Sequence, residues 1–135
     1  MIKQGDKAAI EKIFSQEEVI AYAKSSNDNN PVHFDPDYAE KTPFAKPIVH
    51  GMLAASLFGG LLGSDLPGKG TIHLGQELKF IKPVMVGEKV LATIEVTHIR
   101  EDKPVFTFDC ILTKEDGSVA IQGTAVVIFR GEVFK

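Results

Sequence analysis

Three observations predict an α+β fold in which an antiparallel β-sheet curls around one long central α-helix. The second half of the chain is a succession of segments with period-two apolar patterning, joined by short turns. The stretch from Gly51 to Leu62 has no polar face, so as a helix it must be enclosed. With 135 residues and 44% apolar composition, the chain suffices for one domain, residues 1–135, around one core.

From the N-terminus, Ala8 to Phe14 alternate roughly as a short strand. Ser15-Gln16-Glu17-Glu18 then forms a capping box, serine and glutamate three apart, so a helix starts near Gln16. Val19, Ile20, Tyr22 and Ala23 give that helix an apolar stripe, and Ser25-Ser26-Asn27-Asp28-Asn29-Asn30-Pro31 ends it with turn-favouring residues. Asp35 followed by Pro36 reads as an N-cap with proline in the first turn, which predicts a short helical piece over Asp37 to Lys41.

In the apolar helix, Gly59, Gly60 and Gly63 each lower helix propensity by about 1 kcal/mol relative to alanine. Close backbone contact with the sheet is the expected compensation. After the turn Leu66-Pro67-Gly68-Lys69-Gly70, strands are predicted over Thr71 to Lys82, Glu88 to Arg100, Val105 to Lys114 and Val119 to Arg130. In the second of these, Val90, Ala92, Ile94 and Val96 face one way, and Asp116-Gly117 supplies a hairpin turn between the last two. Consecutive strands with short turns make the sheet antiparallel, and wrapping the helix is the simple way to bury both.

Composition also excludes partners. A formal charge of −3, with Lys and Arg scattered, offers no basic stripe for nucleic acid or an anionic membrane. The longest apolar stretch, Ile48 to Leu62, holds His50 and three glycines and falls short of the ~20 residues that span a bilayer. Met1-Ile2-Lys3-Gln4-Gly5-Asp6 turns polar at once, which predicts no leader and a cytoplasmic protein. Cys110, the one cysteine, lies in an apolar strand pattern and reads as buried packing.

The candidate chemistry lies in Asn27-Asp28-Asn29-Asn30-Pro31-Val32-His33 and in Pro47-Ile48-Val49-His50-Gly51-Met52. Residues five apart do not share a face of a regular helix, but Asn-Asn-Pro forces a turn that can aim Asp28 and His33 at one point. A carboxylate beside an imidazole that titrates near 6.5 can perform general acid and base work. Asn30 could hold a water or ligand amide without titrating. A cap-and-turn cluster with only local hydrogen bonds is the plainer alternative.

His50-Gly51 opens the apolar helix, whose first N–H groups lack internal partners and carry the positive end of the dipole. Gly51 N–H can therefore stabilise a developing oxyanion that its missing side chain lets approach. His50 reads either as part of a binding site or as a cap or packing residue. His73 and His98 lie in strand patterns without metal-ligand spacing and read as structural. Gly68-Lys69-Gly70 lacks the spacing of a phosphate loop, and a contact from Lys69 to a nucleotide tail is a weak alternative.

Asp28-x-Asn30-Pro31-x-His33 followed by Pro47-Ile48-Val49-His50-Gly51-Met52 resembles the MaoC-like family, specifically its (R)-specific enoyl-CoA hydratases. The resemblance extends through Leu66-Pro67-Gly68-Lys69-Gly70, Leu74-Gly75-Gln76 and Arg100-Glu101-Asp102-Lys103-Pro104. It implies a hot-dog fold, a homodimer, and an acyl-CoA thioester bound in a tunnel near the subunit interface, with no cofactor or metal. Asp28 and His33 would hold one water that adds to C3 of a trans-2-enoyl-CoA, with a proton to C2 on the same face. The product would be an (R)-3-hydroxyacyl-CoA, of the kind that feeds polyester synthesis or fatty-acid oxidation. Gly51 N–H would bind the thioester oxygen, Asn30 would assist, and His50 and Gly59 would border the substrate. Gly59 stands where some relatives carry a serine, a departure expected to enlarge the acyl tunnel or admit a water. The rival readings are a hot-dog thioesterase, which typically lacks the Asp-x-Asn-Pro-x-His turn, and a non-catalytic acyl-CoA or acyl-carrier binding module.

Overall fold

The computed structural model describes residues 1–131. Five strands, β1 (Lys7–Ile13), β2 (Ile72–Phe80), β3 (Lys89–Ile99), β4 (Val105–Lys114) and β5 (Val119–Ile128), form one antiparallel sheet in the order β1-β3-β4-β5-β2. The helices are α1 (Gln16–Ser26), α2 (Pro36–Glu40) and α3 (Gly51–Ser64), with a 3₁₀ turn at Pro31–His33. The expected strands and helices are present, each within two residues of its predicted ends.

Local chemistry accounts for the starts. The Ser15 hydroxyl accepts from Glu18 N–H while the Glu18 carboxylate accepts from Ser15 N–H, so the capping box is closed in both directions. Asp35 accepts from the N–H groups of Asp37 and Tyr38 and starts α2. Asn27, at φ 63°, ends α1 in the left-handed conformation that asparagine tolerates better than most residues.

The sheet packs on α3 through Ala54, Ala55, Phe58, Leu61 and Leu62, opposite Val90, Ala92, Ile94 and Val96 of β3 and Phe108, Cys110 and Leu112 of β4. The alternation in β3 is as expected. Cys110 is buried and free, and burial pushes its thiol pKa up to about 11, which suits packing and not nucleophilic work.

Two expectations about α3 are corrected. The helix is not enclosed on every side, because Met52, Ser56, Gly60 and Gly63 form an exposed stripe. A Cβ built at Gly59, Gly60 or Gly63 meets nothing within 4 Å, so these glycines mark open space and not contact with the sheet. The sheet covers only the helix side turned toward it. Ile20 of α1, expected in the apolar stripe, is likewise exposed, while Val19 and Ala23 are buried.

The close backbone approach lies elsewhere, at Gly123 of β5. A Cβ there would lie 1.8 Å from the Glu77 carbonyl oxygen of β2. Beside it, Gln76 of β2 donates to the Thr124 carbonyl at 3.1 Å. Gly123→Ala should therefore destabilise the fold by at least about 1–3 kcal/mol, as overpacking against backbone does, and lower the urea midpoint. An unchanged midpoint would contradict this contact.

Candidate active site

Asp28 and His33 are brought together by the end of α1 and the turn after it. The Asn30 side chain accepts from Val32 N–H and caps the 3₁₀ turn in which Pro31 is the first residue. That turn swings His33 back toward Asp28, leaving His33 Nε2 4.0 Å from an Asp28 carboxylate oxygen. A water about 2.8 Å from each atom would bridge that separation at an angle of about 90°. His33 is 8% exposed, whereas Asp28 is exposed.

The His33 tautomer follows from its other nitrogen. Nδ1 lies 2.8 Å from the Ile48 carbonyl oxygen, which can only accept, so Nδ1 carries the proton and Nε2 presents a lone pair toward Asp28. Burial holds the His33 pKa below its usual 6.5. The Ile48 carbonyl pushes it up, a charge on His50 pushes it down, and the Asp28 carboxylate pushes it up, but burial outweighs these.

The segment before α3 is tied to this turn. Ile48 N–H donates to the Val32 carbonyl and Val49 N–H to the Val84 carbonyl, which fixes where His50 and Gly51 begin the helix. His50 is 2% exposed and stacks on His33 with ring centroids 3.8 Å apart and planes 23° from parallel. Gly51 is the first helical residue. A Cβ on it would lie 2.8 Å from the Phe80 ring, so that ring rests directly on the glycine.

These residues border a cavity of about 560 Å³. Asp28, His33, His50 and Gly51 lie on its wall with Tyr22, while Met52, Phe80, Ile81 and Ile121 are among its apolar lining. A lone pair, a carboxylate and a helix N-terminus thus face one largely apolar space, as proton transfer beside a developing oxyanion requires.

Not every expected residue joins them. Asn30 is exposed, outside the cavity wall, with its side-chain oxygen occupied by Val32 N–H, which is the capping role weighed as the plainer alternative. Gly59 lies two turns along α3 and does not line the cavity. Lys69, His73 and His98 are exposed and also outside it. Asp28, His33 and His50 each offer one ligand atom within 4.8 Å of the others. The stacked imidazoles, however, point their nitrogens along nearly parallel planes, whereas zinc ligands converge on one point about 2.0–2.1 Å from each nitrogen.

A family model for the MaoC like domain matches residues 2–113. The chain belongs to the MaoC-like family. An (R)-specific enoyl-CoA hydratase from Aeromonas caviae is 52% identical over 126 residues, covering 93% of this chain and 94% of that protein. A second (R)-specific enoyl-CoA hydratase, from Rhodospirillum rubrum, is 41% identical over 94% of this chain and 88% of its own length. The solved A. caviae (R)-hydratase, described as involved in PHA biosynthesis, superposes with a TM-score of 0.94 over 95% of this chain and 97% of that one. An R-hydratase from Pseudomonas aeruginosa, 32% identical, gives 0.92 over 97% and 84%. The architecture is the family's hot-dog fold.

The sequence reading missed the supports of this MaoC-like site. Gln16 donates to the His33 carbonyl at 3.0 Å, Ser26 Oγ accepts from Asp28 N–H at 3.2 Å, and Phe80 covers Gly51. Only the polar character of Gln16 and Ser26 near a helix end hinted at this, and nothing pointed to Phe80, which is 29 positions from Gly51.

Because the fold favours neutral His33, the stability it lends is complete above the unfolded value near 6.5 and is lost as pH falls through the lower folded value. An NMR titration of the His33 Cε1–H signal should have its midpoint below 6.5. A midpoint above 6.5 would show that the charge of Asp28 outweighs burial.

Proposed function

We propose that the chain, a single domain of residues 1–135, is an (R)-specific enoyl-CoA hydratase, a hydro-lyase that reversibly adds water to a trans-2-enoyl-CoA. The observation that carries this reading is the 4.0 Å gap between His33 Nε2 and Asp28, facing an apolar cavity beside the first amide of α3. Support comes also from the likeness to the A. caviae hydratase over nearly the full length of both chains.

In this mechanism one water bridges Asp28 and His33. The His33 Nε2 lone pair takes a proton as the water oxygen attacks C3, and electron density moves through C2 to the thioester oxygen. Gly51 N–H, unpaired within the helix and at the positive end of its dipole, stabilises that oxygen. The imidazolium forms beside the Asp28 carboxylate, which stabilises it, and the pair returns a proton to C2 from the same side. Water is added across the double bond, and both side chains return to their starting states.

Asn30 acts in this reading by shaping the turn between acid and imidazole. His50, on the cavity wall, borders the acyl-CoA, and Gly59, two turns along α3 and beyond that wall, leaves an opening where a serine would stand.

The enzyme is proposed to work as a homodimer joined through β2. That strand is an unpaired sheet edge with Leu74 52% exposed, and Met52, 58% exposed, lies on the open stripe of α3. A second copy would cover both, and because Met52, Phe80 and Ile81 also line the cavity, the site would adjoin the interface. Light scattering should give twice the chain mass. Cytoplasmic residence belongs to the same proposal, and cell fractionation checks it. Among the described residues, no helix is long and apolar enough to cross a membrane.

Crotonyl-CoA is the first substrate to test. Loss of enoyl-thioester absorbance without thiol release, giving the (R)-alcohol, is the expected result. Thiol release would indicate the thioesterase, and silence across several acyl lengths the binding module. Asp28→Asn and His33→Gln should each lower turnover by about 10²-fold or more, since each removes a proton-transfer partner while nearly keeping its shape. Gly51→Pro should cost a similar factor or more, about 10²-fold, because proline is tolerated at the first helical position but removes the proposed donor and adds a ring against Phe80. Gly51→Ala, which keeps the N–H, separates that loss from crowding against Phe80.

A further inference from the structure

The His50 side chain makes contacts that border residence alone does not explain. Its Nε2 lies 3.1 Å from the main-chain carbonyl oxygen of Asp28. A carbonyl can only accept, so Nε2 carries the proton. The same ring stacks on His33 at 3.8 Å and meets Tyr22 at 4.7 Å, and its own main chain is the residue just before Gly51. One side chain thus touches the carrier of the carboxylate, the imidazole and the helix start.

Asp28 needs such a hold. It lies one residue beyond the left-handed end of α1, and its side chain is half exposed. Its N–H is held by Ser26 Oγ, which itself donates to the Tyr22 carbonyl at 2.8 Å. The His50 bond to the Asp28 carbonyl holds the next peptide group, so that the residue is tied on both sides of its Cα. His50 Nδ1 is buried with no hydrogen-bond partner among the described residues.

We propose that His50 is a positioning residue whose Nε2–H pins the Asp28 main chain and whose ring braces that of His33. This rests on the hydratase reading and deepens it. The pinned peptide sets the separation between carboxylate and His33 Nε2, and the braced ring keeps that lone pair aimed at the water between them. The titratable groups around His50 are Tyr22 of α1, Asp28 and His33 of the turn, and Lys82, which lines the same cavity.

Two experiments test this. In the first, His50→Phe keeps the ring but removes the donor, and His50→Gln keeps a donor but removes the ring. With crotonyl-CoA, His50→Phe should lower kcat by about 10-fold or more at nearly unchanged KM, as misplaced reacting groups do, and His50→Gln should recover part of that loss. A raised KM at unchanged kcat, or no effect in either variant, would overturn the proposal. The second uses the wild-type chain and needs no activity. Nitrogen-15 NMR of the neutral His50 ring should show the proton on Nε2 and Nδ1 bare. The Nδ1–H tautomer would overturn it. If the wild-type chain fails to hydrate crotonyl-CoA, the hydratase reading fails, while the NMR result still decides the state of His50.

Discussion

The hydrogen bond from His33 Nδ1 to the Ile48 carbonyl, at 2.8 Å, is the constraint on which the site depends. It joins the turn after α1 to the lead-in of α3, two segments that meet only in the folded chain. By placing the proton on Nδ1 it leaves a bare nitrogen toward Asp28. The same lead-in donates back from Ile48 N–H to the Val32 carbonyl and from Val49 N–H to the Val84 carbonyl. The imidazole proposed to take a proton and the amide proposed to meet the oxyanion are therefore positioned by one short strap of main chain.

Burial and exposure divide the work at this strap. His33 and His50 are enclosed, which lowers the His33 pKa and keeps its lone pair available near neutral pH. Asp28 and Gly51 remain exposed on the cavity side, where a ligand can reach them. The apolar wall opposite is supplied by the end of β2 and the residues after it, through Phe80, Ile81 and Val84. Since β2 reaches the sheet only through β5, the packing of Gly123 against Glu77 sets the position of that wall.

Much of this was readable in the chain. Period-two patterning located the four strands of the second half because each buries one face, and the Ser15–Glu18 box and the Asp35 cap located helix starts because their bonds are local. The pairing of Asp28 with His33 followed from a turn that few residues other than Asn-Asn-Pro favour. What escaped was tertiary. The stacking of His50 on His33 joins residues 17 apart, and the Phe80 ring on Gly51 depends on how β2 crosses the end of α3. The glycines of α3 misled because small residues mark close approach and open space alike. Local sequence does not distinguish a covered helix face from the exposed stripe at Met52, Ser56, Gly60 and Gly63.

The central claim is that one water, held between Asp28 and His33 on one side of the substrate, supplies both the hydroxyl and the path of the proton. Hydration of crotonyl-CoA in D₂O, with NMR of the isolated product, tests it most directly. The expected product carries a single deuterium at C2 on the same face as the new hydroxyl of an (R)-3-hydroxy centre. Deuterium on the opposite face, or an (S) centre, would contradict a single-sided Asp28–His33 mechanism.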